Sequence, residues 1–373
     1  VKIIFAGGGT GGHLFAAQSI AEELVLRDKN TSIIFVGAAR GIEVELVPKM
    51  GYPVYFLNVF PLKGLGVFGK LMSSLKILPA FLESLKICFK ERPSIVVGVG
   101  GYASGPFLAA AKVSSFFLHF KLGILEQNAI PGITNRLLGK FSDFIFLSFP
   151  ETKKYFNPHK CIWVGNPIRS EILKSSFASL KNKESHIKTL FIFGGSQGAV
   201  GLNRLVLAIL DKNTSLKERC LNGKIAIIHQ TGRLDYETVK KNYDEIGLSG
   251  LKNIEIFPFI EDMVSCYQKA NLVICRAGAS TISELEILGM PAIFVPLPTA
   301  ADNHQAKNAQ VLVDGGGALL WIQGSKDPKE AGDEILEILD QPKKAQEMSQ
   351  KIRMFARPQA VEQIVAEIQS RMK

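Results

Sequence analysis

Cysteine is scarce in this chain. The five in 373 residues (Cys88, Cys161, Cys220, Cys266 and Cys275) are scattered, and no two form a C-x-x-C pair. That excludes a disulfide framework and a cysteine-rich zinc site, and it fits a reducing cytoplasm. Long apolar runs are missing too. None reaches the ~18–20 residues needed to span a bilayer, since the longest candidate, Ser94–Phe120, is broken by glycines and by Lys112. A strand-like run starts within two residues of Val1, so no signal peptide and a soluble chain are expected. No G-x-S-x-G elbow occurs, and no His, Asp and Glu set has metal-ligand spacing. Serine-hydrolase and metal-hydrolase chemistry are therefore unsupported, and neither a metal nor a cofactor is expected. A composition of 47% apolar and 21% charged residues excludes disorder and coiled coil.

Acidic residues fall short of basic ones in one half only. Residues 1–165 hold 18 Lys and Arg against 10 Asp and Glu, whereas residues 166–373 hold 26 against 24. Within residues 63–121 the count is 8 against 2. A basic surface confined to one region implies one anionic partner, nucleic acid or anionic lipid, and composition does not choose between them.

Two segments repeat one design: VKIIFAGGGTGGHLFAAQSIAEEL at Val1–Leu24 and KTLFIFGGSQGAVGLNRLVLAIL at Lys188–Leu210. Each reads as a buried strand, a glycine-rich turn and an apolar-periodic helix, the opening of a doubly wound α/β domain. Strand-like runs then alternate with helical ones. They are Ser32–Val36, Val54–Leu57, Ile95–Val99, Lys121–Leu125 and Phe144–Leu147 in the first half. In the second they are Lys224–His229, Ile254–Phe257, Leu272–Cys275, Ala292–Val295 and Ala318–Trp321. The pattern predicts an α/β protein of two Rossmann-like, doubly wound parallel-sheet domains facing a cleft. Gly165-Asn166-Pro167 marks the boundary, giving domains over 1–165 and 166–350, with residues 351–373 as a terminal helix returning to the first domain.

Gly7-Gly8-Gly9-Thr10-Gly11-Gly12 satisfies G-x-G-x-x-G between a strand and a helix, where missing Cβ atoms let a phosphate reach backbone N–H groups. A dinucleotide site would need an acidic residue at the end of the second strand. That strand ends Phe35-Val36-Gly37-Ala38-Ala39-Arg40, with no carboxylate before Glu43, which disfavours NAD. His13, in the first helical turn, reads either as a helix-start residue bonded to its own loop or as a general base or phosphate contact. In Arg276–Glu284, Ser280 or Thr281 is a natural N-cap, so free N–H groups at that helix start would face a diphosphate. Glu284, about one turn in, could accept from both hydroxyls of a ribose, or merely complement the helix dipole. Asp302-Asn303-His304-Gln305 could bind a sugar or cap the next helix.

Nine motifs occur in order: GGGTGGH, GVGGYASGP, EQNAIPG, GNPIR, GGSQGA, HQTG, FIEDM, RAGASTISE and DNHQ. Together they resemble the MurG family of bacterial peptidoglycan N-acetylglucosaminyltransferases, which have the GT-B fold, and the resemblance spans nearly the whole chain. It implies inverting transfer of N-acetylglucosamine from UDP-N-acetylglucosamine to the C4 hydroxyl of the muramoyl sugar of undecaprenyl-diphosphate-linked lipid I, giving lipid II for the cell wall. It also implies residue roles. Glu284 would hold the ribose and the Ile260 backbone would read uracil. Ser196 with Ala279, Ser280 and Thr281 would hold the diphosphate. Gln305 and Asn128 would touch the sugar, and Thr10, Gly11, Gly12 and Arg169 would complete the cleft. Family members often carry His before E-Q-N where this chain has Leu125, which leaves His13 and Glu126 as candidate bases. Same-fold and other-class alternatives are a UDP-N-acetylglucosamine 2-epimerase, an NAD-dependent oxidoreductase and a non-catalytic membrane-bound nucleotide-sugar sensor.

A lipid acceptor also accounts for the basic region. Between Lys63 and Arg92, Val67, Phe68, Leu71, Leu75, Leu78, Leu82 and Leu85 recur at three- and four-residue spacing beside Lys70, Lys76, Lys86 and Lys90. Residues 63–92 are therefore expected to meet an anionic membrane surface, the piece before Pro79 by direct contact and the piece after it mainly as a sheet-covering helix. The expected location is the cytoplasmic face of the membrane, peripheral. No nucleic-acid motif accompanies the charge, so no nucleic-acid partner is expected.

Overall fold

The computed structural model describes residues 1–59, 77–178, 186–195 and 198–372, which divide into two compact units. The first comprises Val1–Arg169 and Arg357–Lys373, the second Ser170–Ala356.

The first unit is a seven-stranded parallel sheet of β1 (Lys2–Gly7), β2 (Ser32–Ala38), β3 (Val54–Leu57), β4 (Ile95–Gly100), β5 (Lys121–Glu126), β6 (Phe144–Leu147) and β7 (Cys161–Trp163), in the order β3-β2-β1-β4-β5-β6-β7. Continuous apolar runs make these strands because helices cover both faces: Ile3, Ile4, Phe5 and Ala6 are all wholly buried. On one face β1 and β4 pack against the Gly11–Arg27 helix through Leu14, Ala17 and Ile20. The terminal helix Ala360–Ser370 joins the same cluster with Ile364, Val365 and Ile368. At ~1.5–3 kcal/mol for each buried side chain, those three contribute about 5–9 kcal/mol. That is comparable to the whole stability of a domain, so the tail is integral to this unit. Where the chain re-enters the unit, the Arg357 guanidinium stacks 3.8 Å from the Trp163 ring centre. Gly165, at φ +88°, lies so close that a Cβ there would sit 2.3 Å from Arg357 Cβ.

The second unit is a six-stranded parallel sheet of β8 (Lys188–Phe193), β9 (Ile225–Gln230), β10 (Ile254–Phe257), β11 (Leu272–Cys275), β12 (Ala292–Phe294) and β13 (Ala318–Leu320), ordered β10-β9-β8-β11-β12-β13. Both sheets are doubly wound, as the strand–helix alternation predicts. In each, the strand order reverses beside the strand that opens the repeated segment: between β1 and β4, and between β8 and β11. Crevices at such reversals, beyond the carboxyl ends of the strands, are where α/β sheets hold ligands.

Two readings are corrected. β7 was not expected; it is a three-residue, partly exposed edge strand with no alternation to betray it. The helix after β11 runs Ala279–Leu288 with Gly278 as its N-cap, so Ser280 and Thr281 lie inside the first turn rather than capping it. The expected direct-contact piece of the membrane segment, up to residue 76, and Ser196 lie outside the described residues. No helix among the described residues is long and apolar enough to cross a membrane.

Candidate active site

At the β1–β4 reversal the two glycine-rich loops lie backbone on backbone. A Cβ on Gly7 would stand 2.1 Å from the Gly100 carbonyl oxygen, and one on Gly101 would stand 2.2 Å from that of Gly8. Gly8 N–H donates to Gly100 O (3.1 Å), and Gly9 N–H donates to Glu43 Oε2 (2.9 Å). Glu43 is 1% exposed and also accepts from Ala38 N–H (2.8 Å). A resident carboxylate therefore already fills the position where a phosphate oxygen would be cradled by Gly9. These glycines serve close packing, which corrects the expectation that this stretch of the loop receives a phosphate.

The Gly11–Arg27 helix starts directly after this loop. Its N-cap, Thr10, makes no side-chain cap bond; its Oγ1 lies 3.1 Å from His13 Nδ1 instead. The His13 ring is seated over Gly100, where a Cβ would come within 2.8 Å of Nε2. Arg169 stacks on Phe15 one turn further along, with its guanidinium carbon 5.4 Å from the ring centre. Gln127, 3% exposed, donates to Gly12 O (3.2 Å) and to Asn166 Oδ1 (2.9 Å), tying GGGTGGH, EQNAIPG and GNPIR together. The first unit thus brings Thr10, Gly11, Gly12, His13, Asn128 and Arg169 to one end of its sheet.

Glu126 is also there, but it faces inward. It is 2% exposed, and its oxygens accept from Asn128 N–H (2.9 Å), Asn128 Nδ2 (3.3 Å), Gly132 N–H (3.3 Å) and Asn135 Nδ2 (2.8 Å). Burial pushes its carboxyl above the usual carboxylate range, against the pull of those donors. Glu126 thus organises its own loop, with both oxygens accepting from it. Leu125 is wholly buried in the core.

At the β8–β11 reversal, Gly194 and Gly195 follow β8, and the Val200–Lys212 helix starts just beyond Gly198. Arg276 and the Ala279–Leu288 helix follow β11. Glu284 sits on that helix, 9% exposed, with Oε2 accepting from Tyr267 OH (2.9 Å). Tyr267 is itself pinned edge-on against Phe191 and Phe193. A carboxylate merely complementing a helix dipole would stand in solvent; this one is buried and aligned. Its charge, after burial, helps push the Cys275 thiol upward. Ile260 N–H is already taken by Gln230 Oε1 (3.1 Å), while Gln230 Nε2 donates to Gly195 O (2.8 Å). A base reading this backbone would therefore use the Ile260 carbonyl. Gln305 Oε1 accepts from Leu297 N–H (2.8 Å), and both residues line a cavity of about 500 Å³ with Gly194, Gly198–Gly201, Arg276 and Gln323. Asn303 is the N-cap of the next helix but makes no side-chain cap bond, so the capping alternative for this loop is not what the fold uses.

Sequence reasoning missed Glu43, Gln127 and Gln230. The two glutamines lie inside recognised motifs, Gln127 between the singled-out Glu126 and Asn128, and that position was their only signal. Nothing in the spacing points to Glu43, which reaches the loop through the fold.

Models of two glycosyltransferase family 28 domains match the chain, the N-terminal domain over residues 3–147 and the C-terminal domain over 189–364. Curated relatives named UDP-N-acetylglucosamine–N-acetylmuramyl-(pentapeptide) pyrophosphoryl-undecaprenol N-acetylglucosamine transferase align over nearly all of it. That of Myxococcus xanthus is 39% identical, covering 98% of this chain and 91% of its own. That of Citrifermentans bemidjiense is 38% identical over the full length of both. The crystal structure of Acinetobacter baumannii MurG superposes with a TM-score of 0.77 at 28% identity, covering 99% of each chain. Two doubly wound sheets in this order, the nine motifs at their carboxyl ends and full-length identity near 40% agree: the chain belongs to glycosyltransferase family 28 and, within it, to the MurG group of N-acetylglucosamine transferases.

Proposed function

We propose that this chain transfers N-acetylglucosamine from UDP-N-acetylglucosamine to the C4 hydroxyl of the muramoyl sugar of lipid I, giving lipid II for peptidoglycan synthesis. The observation that carries the reading is the full-length identity to transferases of that name, with a buried, tyrosine-held carboxylate at the β8–β11 reversal. In the reaction the acceptor oxygen attacks C1 of the donor sugar from the face opposite the phosphate. The new C–O bond forms as the C1–O–phosphate bond breaks, inverting the anomeric carbon; the hydroxyl proton goes to a base, and UDP leaves with the bond electrons.

The second unit supplies donor recognition. Glu284 accepts from the ribose hydroxyls, and the Ile260 carbonyl accepts from uracil N3–H. The N–H groups of Ala279, Ser280 and Thr281, at a helix start without a side-chain cap, face the diphosphate. Gln305 contacts the sugar. In the first unit His13 takes the proton, because Thr10 fixes its ring and Glu126 is committed elsewhere. Gly11, Gly12 and Arg169 meet the acceptor's anionic groups.

The acceptor is a lipid, and one face of the first unit suits a bilayer. The Ile77–Glu91 and Ser104–Leu118 helices pack together and leave Leu78, Leu82, Phe116 and Phe117 exposed, the two phenylalanines at 70% and 68%. Lys112 Nζ lies 5.3 Å from the Phe116 ring centre, and Lys86 and Lys90 are exposed on the first of these helices. Buried Ile87 and Cys88 on the first of these helices cover the sheet, so that helix serves both purposes. The protein then docks peripherally on the cytoplasmic membrane face. Incubation with the donor alone separates this reading from the epimerase alternative. A transferase leaves UDP-N-acetylglucosamine intact, whereas an epimerase inverts C2 and yields either the UDP-linked 2-epimer or, with water displacing UDP, the free 2-epimeric sugar; formation of either 2-epimer would refute the proposal.

A further inference from the structure

Glu43 carries a cost that packing alone leaves unexplained. It is 1% exposed, and among the described residues no ion pair includes it. A buried carboxylate without a cation depends on its hydrogen bonds: Oε1 accepts from Ala38 N–H (2.8 Å) and Oε2 from Gly9 N–H (2.9 Å). Ala38 ends β2, and Gly9 lies in the loop between β1 and the Gly11–Arg27 helix. One carboxylate therefore bridges the segments that follow two paired strands. Glycines make room for it. A Cβ on Gly37 would stand 2.4 Å from Glu43 Cγ, one on Gly41 would stand 2.1 Å from Oε2, and one on Gly8 would stand 2.8 Å from either oxygen. Neither Gly37 nor Gly41 has the positive φ that favours glycine, so what they share is this side chain.

The bridge holds the run Gly7-Gly8-Gly9, at φ +140°, +142° and +83°. Glycine loses more conformational freedom on folding than any other residue, and it has no side chain to anchor it. Gly8 is tied by its N–H to the Gly100 carbonyl, and Gly9 by its N–H to Glu43. The chain then turns straight into Thr10, whose Oγ1 lies 3.1 Å from His13 Nδ1. Releasing Gly9 would let that turn, and the imidazole it steadies, drift. A shift of about 1 Å at a reacting group can cost on the order of a hundredfold in rate.

We propose that Glu43 is a positioning residue for the transfer reaction: it touches no substrate, and by clamping Gly9 it sets where the Thr10–His13 turn stands when His13 takes the acceptor proton. The proposal rests on the transfer reading above, with His13 as its base. Both carboxylate oxygens are needed, so the side-chain type matters. Glutamine has one carbonyl oxygen and would turn its NH2 towards one of the two N–H groups. Aspartate is shorter by one methylene, roughly 1.5 Å, and cannot span them. The clamp acts on the geometry of the first unit, so its loss should appear in kcat and leave donor binding, which the second unit supplies, unchanged.

Steady-state kinetics and UDP calorimetry on the full chain test this with two substitutions that disturb the clamp by different means. Glu43→Gln should lower kcat roughly 10- to 100-fold and keep UDP affinity within about twofold. Gly41→Ala keeps the carboxylate and its charge but drives a methyl group onto Oε2. It should give the same split, and it carries the test if Glu43→Gln fails to fold. In both variants the acid limb of the rate profile should keep its place on the pH axis at a lower height, because the base is displaced rather than removed. An unchanged kcat in either folded variant, or a loss of kcat matched by an equal loss of UDP affinity, would overturn the proposal. A fully active His13→Ala would instead sink the reading of the base beneath it.

Discussion

Removing the Glu284 carboxylate perturbs the donor site where a side chain is held by a buried tyrosine. Glu284→Ala deletes the acceptor of the Tyr267 hydroxyl and, on the proposed reading, both hydrogen bonds to the ribose. A hydrogen bond to a charged group contributes ~1.5–3 kcal/mol net, so losing two should cost roughly 3–4 kcal/mol, because such terms are not additive. That corresponds to about a 100- to 1,000-fold rise in donor KM. The stranded Tyr267 hydroxyl, 1% exposed, should lower stability by about 1–3 kcal/mol, enough to shift Tm by several degrees without unfolding the chain. Glu284→Gln keeps an acceptor for Tyr267, so it should retain Tm while still losing about tenfold in KM. Initial-rate kinetics, with thermal melts alongside, separate the two effects. The decisive comparison is UDP against 2′-deoxy-UDP as competitive inhibitors. Wild type should prefer UDP, and Glu284→Ala should bind the two alike. An unchanged KM, or an undiminished preference for the 2′-hydroxyl, would refute the ribose assignment.

Three further outcomes are expected. His13→Ala should lower kcat far more than it raises KM and abolish the acid limb of the rate profile; weakened donor or acceptor binding with an unchanged profile would make His13 a phosphate contact instead. Phe116→Ser with Phe117→Ser should remove the salt-resistant part of binding to anionic vesicles, up to ~3–6 kcal/mol of apolar insertion, and spare turnover on a water-soluble acceptor. Pelleting of that double variant with vesicles at high salt would place the docking surface elsewhere. His229 is wholly buried, bonded to Tyr243 OH and Asn203 Oδ1, and burial pulls its pKa down to about 3. The unfolded chain takes up this proton near pH 6.5 and the folded chain does not, so the stability is fully present above ~6.5 and is lost as pH falls towards 3. At pH 5 the loss should be about 2 kcal/mol; unfolding of His229→Gln should lack this component, and an identical pH slope in the two proteins would show that His229 is not its source.

The parallel strands were legible because burial on both faces writes them as unbroken β-branched and aromatic runs. Lys188–Phe193 runs straight into Gly194-Gly195, and Leu272–Cys275 is an apolar run closed by the turn at Gly278. β7 carried no such mark, since an edge strand of three half-covered residues looks like loop. At the site, residue type was readable and residue environment was not. Glu126 and Glu284 are both glutamates in recognised motifs, yet one is consumed by four donors of its own loop and the other is presented by a tyrosine. The spacing of GGGTGGH names a close approach without naming the neighbour. At Gly7 the neighbour is the Gly100 backbone, and beneath Gly9 it is Glu43, which no local pattern links to the loop.

The most direct test of the transferase assignment is a turnover experiment with labelled UDP-N-acetylglucosamine and a lipid I analogue, with the product's linkage read by NMR. The assignment predicts label in the lipid fraction, one UDP released per sugar transferred, and a β-1,4 linkage to the muramoyl residue. Release of UDP with the label left in free sugar, or no acceptor-dependent turnover from a chain that binds the donor, would contradict it.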